Sequence, residues 1–211
     1  HQWSPSLGLV YHIRSMPETA VRINVARAFN IPRLLWKYYD NGVSTLDNRS
    51  LKPERAWVYD LGFESRPVDR FKYELDAYWA EVEDVIVNTY YLGEPAPGYM
   101  TNQVHYRRQG VEARVELDLS DRWSTFAAAA FNRIEDRHTG KRVRASGKPR
   151  QSFDLGLRYN DGRGLTLELT GEYDRWNVSS LNRARDRTFI FDARIARQWQ
   201  HLTVFLNIYN L

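Results

Sequence analysis

The sequence predicts an all-β protein: an antiparallel up-and-down transmembrane β-barrel segment of about ten strands. Three observations predict it. Apolar and polar residues alternate with period two through most of the chain. Long connections alternate with tight turns. Aromatic residues make up 14% of the 211 residues, with 7 Trp and 13 Tyr.

The alternation is clearest over 107–119, where Val111, Ala113, Val115, Leu117 and Leu119 interleave with Glu112, Arg114, Glu116 and Asp118. One face of such a strand is apolar and the other is charged. Residues 55–66 set Trp57, Tyr59, Leu61 and Phe63 against Asp60, Gly62 and Glu64, and 71–79 set Phe71, Tyr73, Leu75, Ala77 and Trp79 against Lys72, Glu74 and Asp76. The same rule gives strands over 153–159 and 165–174. Less regular alternation gives strands over 4–13, 20–29, 123–135, 188–199 and 202–210. Ala127 to Ala130 has helical propensity, but its strand neighbours and short turns override it. Mean hydropathy is −0.60, and no run of about 18 apolar residues could form a spanning helix. A barrel strand needs an apolar residue only at every second position, so this value is compatible with membrane insertion.

Short turns fall at 14–19, 67–70, 121–122, 161–164 and near Gln200, rich in the Pro, Asp and Gly that tight turns require. Long connections are expected at 30–53, 86–105, 137–150 and 178–187. In an up-and-down sheet alternate connections share an end, so one end carries tight turns and the other long loops, as in barrels of the bacterial outer membrane. A soluble antiparallel sheet would need a second layer over its apolar face, and no helical or second strand pattern supplies one. Lipid removes that need, and the charged face then lines the lumen.

Charge and composition exclude other classes. The net charge of +4 comes from 30 basic and 26 acidic residues with interspersed signs, and no basic face or nucleic-acid motif accompanies it. Without cysteine there is no disulfide, thiolate site or cysteine nucleophile. His1, His12, His105, His138 and His201 are scattered without metal-ligand spacing. Glu81, Glu83 and Asp84 are too few for a calcium loop and read as a solvated cluster. No signal peptide opens the chain, which implies a mature chain or a fragment.

Residues 27–64 contain Phe29-Asn30-Ile31-Pro32 and, after a loop, Asn48-Arg49-Ser50-Leu51-Lys52-Pro53-Glu54. This pair resembles the signature of TonB-dependent outer-membrane receptors, in which a strand ends in Phe-Arg-Ala-Pro and the next is introduced by Asn-Pro-Asn-Leu-Lys-Pro-Glu. Asn30, Ile31, Arg49 and Ser50 depart from it; Phe29, Pro32, Leu51, Lys52, Pro53 and Glu54 match. Gly110-Val111-Glu112 and Asn207-Ile208-Tyr209-Asn210-Leu211 resemble later parts of the same family, in the same order. The resemblance implies that 1–211 is part of a barrel of about 22 strands with a plugged lumen, the plug domain, early strands and last strand lying outside the chain. It implies a receptor for energised uptake of a ferric siderophore or a cobalamin-like ligand. Its partners would be outer-membrane lipid and, through the plug, the TonB energy-transducing complex. No cofactor or catalytic residue is expected.

Pro32 and Pro53 suit strand ends, where no ladder N–H is needed. Glu54 falls by alternation on the face of Asp60 and Glu64, where it is expected to pair with an arginine and anchor the loop. Arg33, Trp36, Lys37, Tyr38 and Tyr39 in the loop 30–53 combine cations and rings, which suits an anionic aromatic ligand or an aromatic cluster at the membrane rim. Tyr90, Tyr91, Tyr99, Asn102, Gln103 and His105 in the loop 86–105 carry the same two readings. Haem receptors of the family place a histidine between the two motifs; none lies between Pro32 and Asn48. Two other functions remain open: a ten-stranded barrel enzyme, for which Glu135, Asp136 and His138 are the cluster to consider, and a passive porin.

Overall fold

The computed structural model describes residues 2–16, 18–40, 45–89, 93, 98–143, 149–176 and 186–211. The strands are β1 (Ser6–His12), β2 (Thr19–Asn30), β3 (Thr45–Leu46), β4 (Glu54–Val68), β5 (Phe71–Asn88), β6 (Gly98–Asp118), β7 (Trp123–Asp136), β8 (Pro149–Asn160), β9 (Leu165–Trp176), β10 (Arg187–Gln198) and β11 (Thr203–Ile208). Among the described residues one short helix, α1 (Leu34–Tyr38), lies between β2 and β3. All strands but β3 lie side by side in the order β1-β2-β4-β5-β6-β7-β8-β9-β10-β11, each antiparallel to the next. The sheet does not close: β1 and β11 are its edges.

The register turns the sequence alternation into two continuous faces. Ile23 opposes Leu61, Leu61 opposes Ala77, Ala77 opposes Val111 and Val111 opposes Phe131. One residue along, Asn24, Asp60, Tyr78, Gly110 and Asn132 form the adjacent row. Because side chains alternate across a strand, the two rows face opposite sides of the sheet. On the apolar side Leu61 is 52% and Leu155 is 62% exposed, a display that lipid, not water, can cover. Rings border this side at both ends. Toward the short turns, Phe63 stacks on Tyr73, Phe71 meets Tyr73 at a tilt, and Trp123 meets Tyr159. Toward the long loops, Phe131, Phe153, Tyr173 and Phe189 form a chain of ring contacts 4.6–6.0 Å apart. From Phe71 to Trp79 along β5 is about 20 Å along the normal of a strand tilted near 40°, close to the apolar band of a spanning barrel.

The polar face is tied by ion pairs and amides: Arg22 to Asp76 at 3.3 Å, Arg158 to Glu168 at 3.0 Å, and Asn24 to Asp60 at 3.1 Å. Two glycines let rings lie flat on it. The Tyr78 ring crosses Gly110 to donate its hydroxyl to Asn132 at 2.6 Å, and a Cβ on Gly110 would sit 2.5 Å from that ring. Phe126 covers Gly156 in the same way, beneath the Arg114 guanidinium, 4.6 Å from the ring centre.

The tight turns hold themselves. Asp161 Oδ1 accepts the N–H groups of Arg163 and Leu165 at 2.7 and 2.8 Å, and Gly162 and Gly164 take positive φ. Ser120 Oγ accepts from Arg122 and Trp123, and Arg70 pairs with Asp121 at 2.6 Å across two neighbouring turns.

The strands outrun the alternation that predicts them. The connection expected at 86–105 is mostly strand: β5 runs on to Asn88 and β6 starts at Gly98. Asp84, at φ +55, is the extra residue of a β-bulge between the Val82–Tyr106 and Val85–Val104 pairs. A bulge reverses the phase of a period-two pattern, so the apolar residues on its two sides do not align in sequence. The turn expected at 67–70 is likewise shortened by β4, which continues to Val68.

Candidate functional site

The candidate site is the surface where the 30–53 connection folds back over the long-loop ends of β5 and β6. Its anchor is the segment before β4. Leu51 is 4% exposed and Pro32 is buried. The Lys52 N–H donates to Asn102 Oδ1 at 2.8 Å, while Asn102 Nδ2 donates to the Lys52 and Asp84 carbonyls at 3.0 and 2.6 Å. One side chain on β6 thus satisfies both backbone groups of Lys52 and the carbonyl freed by the bulge. Asn48 acts similarly, its Nδ2 donating to the Met100 carbonyl at 2.8 Å while its Oδ1 accepts the Ser50 N–H at 3.0 Å. Next to these contacts β3 pairs parallel with β6, Thr45 opposite Gly98 and Leu46 opposite Tyr99.

Glu54 takes a different partner from the expected arginine. Its Oε1 accepts the Ile86 N–H at 2.8 Å and its Oε2 the Asn30 amide at 2.8 Å. The bulge at Asp84 brings that N–H to the carboxylate. Arg55, the next residue, pairs with Asp84 at 3.1 Å. The acidic cluster is not a solvated loop either: Glu81 lies within β5 and pairs with Arg107 at 2.9 Å and Arg137 at 3.3 Å.

Of the ligand-facing candidates, five share α1 and its flanks. The Arg33 guanidinium stands 5.1 Å from the Trp36 ring centre, and Arg49 stands 5.9 Å from that of Tyr38. Lys37 is in the last turn of the helix, where a cation offsets the carbonyl ends. Tyr38 is 60% exposed and Tyr39 48%. The Trp36 carbonyl accepts the Asn48 N–H at 3.3 Å, which ties the helix to the anchored segment. Tyr99 is half-buried, its N–H donating to Thr89 Oγ1 at 3.2 Å. Tyr90 and Tyr91 lie outside the described residues. Asn102, grouped by sequence with the ligand candidates, is fully engaged in anchoring the loop. The helix and the Arg49–Tyr38 contact carry no sequence signal beyond the run of rings and cations itself.

The hydrolase cluster is engaged elsewhere. Asp136 Oδ1 accepts the backbone N–H groups of His138 and Thr139 at 2.8 and 2.9 Å, which caps the turn after β7. Glu135 pairs with Arg133. Among the described residues no group of three or more His, Asp or Glu side chains is placed to hold a metal ion.

An open antiparallel sheet with an apolar outer face, a charged inner face, tight turns at one end and an anchored loop layer at the other defines the wall of an outer-membrane barrel. The family model "TonB dependent receptor-like, beta-barrel" matches residues 1–211. The chain belongs to that family, and its place is the bacterial outer membrane. Solved structures agree in fold. The copper transporter OprC superposes with a TM-score of 0.80 at 17% identity, over 99% of this chain and 34% of that one. A mutant of the ferric enterobactin receptor PfeA from Pseudomonas aeruginosa gives 0.78 at 17%, over 100% and 34%. The siderophore receptor PirA from the same organism gives 0.74 at 18%, over 100% and 36%. The chain therefore spans about a third of the length of these structures. No curated protein sequence matches it.

Proposed function

We propose that the chain is the ligand-facing wall and loop layer of a receptor that takes up a ferric siderophore. A cobalamin-like ligand is the other substrate class considered. The observation that carries this reading is the loop layer itself: Arg33, Trp36, Lys37, Tyr38 and Tyr39 are held at the long-loop end by an anchor that leaves their rings and cations at the surface. Guanidinium, ammonium and phenol groups together recognise an anionic chelate with aromatic arms, through charge-assisted hydrogen bonds and stacking. The names of the neighbours PirA, a siderophore receptor, and PfeA, a ferric enterobactin receptor, support the same class. Uptake needs no covalent chemistry from this chain. In this reading the TonB complex acts through a plug domain that belongs to the whole receptor.

The test uses the whole receptor that contains this segment. Quenching of tryptophan fluorescence is titrated with ferric enterobactin, with a ferric hydroxamate and with cobalamin. Submicromolar quenching by one ferric chelate, weakened at least tenfold in the Arg33→Ala/Lys37→Ala variant, is the expected result. Binding of cobalamin alone, or an affinity for every ligand that ignores this variant, would refute the siderophore reading.

A further inference from the structure

The lipid-facing surface is not uniform. A groove of about 760 Å³ crosses six strands, β2 and β4 to β8, of the apolar face near the long-loop end. Its walls are Tyr59, Leu61, Trp79, Val111 and Phe131, and its floor is lowered at Ala77, the one small side chain of that row. At its upper rim stand Arg133, Arg142 and Arg150.

The arginines are brought there by two irregularities. Arg142 returns from the turn after β7 to form an isolated antiparallel bridge with Glu135. Arg150 is the extra residue of a bulge in β8, between the Pro149–Trp176 and Gln151–Arg175 pairs. Regular alternation would put residue 150 on the charged face with Ser152 and Asp154; the bulge re-aims it to the groove. Arg175, opposite Gln151, adds a further guanidinium within Coulombic reach of Arg150. The nearest carboxylate is Glu135, held by Arg133; Glu81, further along the same cross-strand row, is held by Arg107 and Arg137. Four guanidiniums against the Glu135 carboxylate leave a positive patch, placed directly above an apolar groove and level with the ring belt that marks the membrane edge.

We propose that this groove is a binding site for a phosphate-bearing lipid of the outer leaflet. Its acyl chains lie along Leu61, Ala77, Val111 and Phe131, and its phosphate is held by Arg133, Arg142 and Arg150. Guanidiniums suit phosphate because their paired N–H groups match two of its oxygens. The apolar walls suit acyl chains, and the vertical order of the two parts is that of a lipid standing in the membrane. The site lies on the opposite side of the sheet from the lumen, so it is independent of the siderophore reading.

The whole receptor is extracted from outer membranes in mild detergent, and phosphate-bearing lipid per protein is counted by native mass spectrometry. The receptor is expected to retain such lipid. The Arg142→Ala/Arg150→Ala variant is expected to weaken retention by about fivefold per arginine, so about 25-fold together. Ala77→Trp fills the groove without touching the arginines and is expected to reduce retention as well; heat-modifiable gel mobility shows that each variant is folded. Chelate titrations of both variants are expected to match the parent, which separates this site from the ligand surface. Absence of bound lipid from the parent, or equal retention by the arginine variant, overturns the proposal. So does a groove-filling variant that keeps its lipid while inorganic phosphate displaces it, since that result describes a free-anion site.

Discussion

Asn102→Ala removes the side chain that joins β6 to the segment before β4. Three hydrogen bonds go with it: Lys52 N–H to Oδ1, and Nδ2 to the carbonyls of Lys52 and Asp84. Each is worth roughly 0.5–1.5 kcal/mol net. The two to Lys52 are exposed and the one to Asp84 is part-buried, so water recovers part of the loss and the loop should loosen by about 2 kcal/mol. That corresponds to about a thirtyfold rise in the population of the open loop. Hydrogen exchange on the whole receptor reads it at the amides of Leu51 and Lys52, which open locally without unfolding the barrel. The control is Asn102→Asp, which keeps an acceptor for Lys52 N–H but sets a carboxylate against two carbonyl oxygens. It should protect the loop no better than alanine. If exchange at 51–52 is unchanged in the alanine variant, or if aspartate restores protection, the anchor is not Asn102 and the loop is held by its buried Leu51 and Pro32 alone.

Other outcomes follow from the same geometry. Glu54→Ala leaves the Ile86 N–H without its acceptor and should cost about 1–3 kcal/mol, read as faster exchange at Ile86 while amides near the tight turns keep their protection. Gly110→Ala places a Cβ 2.5 Å from the Tyr78 ring and 2.8 Å from the Phe131 carbonyl oxygen; it should lower stability by about 1–3 kcal/mol, seen as a lower temperature for loss of heat-modifiable mobility. Partial burial would raise the Asp161 carboxyl, but the N–H groups of Arg163 and Leu165 and the Arg197 guanidinium outweigh it and hold it below its ordinary value. A carboxyl lowered in the fold stabilises the turn above the unfolded pKa, near 3.9, and that contribution is lost as pH falls through the lowered value. The protection factor at Leu165, its exchange relative to an unstructured amide at the same pH, should therefore fall below about pH 4, and Asp161→Asn should abolish that pH-dependent part.

The strand pattern was legible because a membrane wall has to satisfy a simple rule at every residue. Lipid on one side and an aqueous lumen on the other demand alternation, so Val111 to Leu117 and Phe71 to Trp79 announce their faces directly. The tight turns were legible for a local reason: Asp161, Gly162 and Gly164 supply caps and positive φ within four residues. The Leu51-Lys52-Pro53-Glu54 run, with Phe29 and Pro32, was enough to suggest the family. The bulge at Asp84 was not legible, because it depends on how two strands are paired, and it hid the outer third of β5 from any period-two reading. For the same reason alternation placed Glu54 on the correct face but gave no sign of its partner, the N–H of Ile86.

What the sequence determined by itself was therefore everything local or periodic: strand faces, turn positions, the end that carries the loops, and the family those features imply. What only the tertiary structure decided was everything that joins residues far apart in the chain through an irregularity. Asn102 meets Lys52 fifty positions away, and Arg142 and Arg150 reach the rim of a groove because one follows a turn and the other is a bulge. Alternation is a property of each residue in its solvent, so a sequence can display it. A bulge is a property of the pairing between strands, and it exists only once they are side by side.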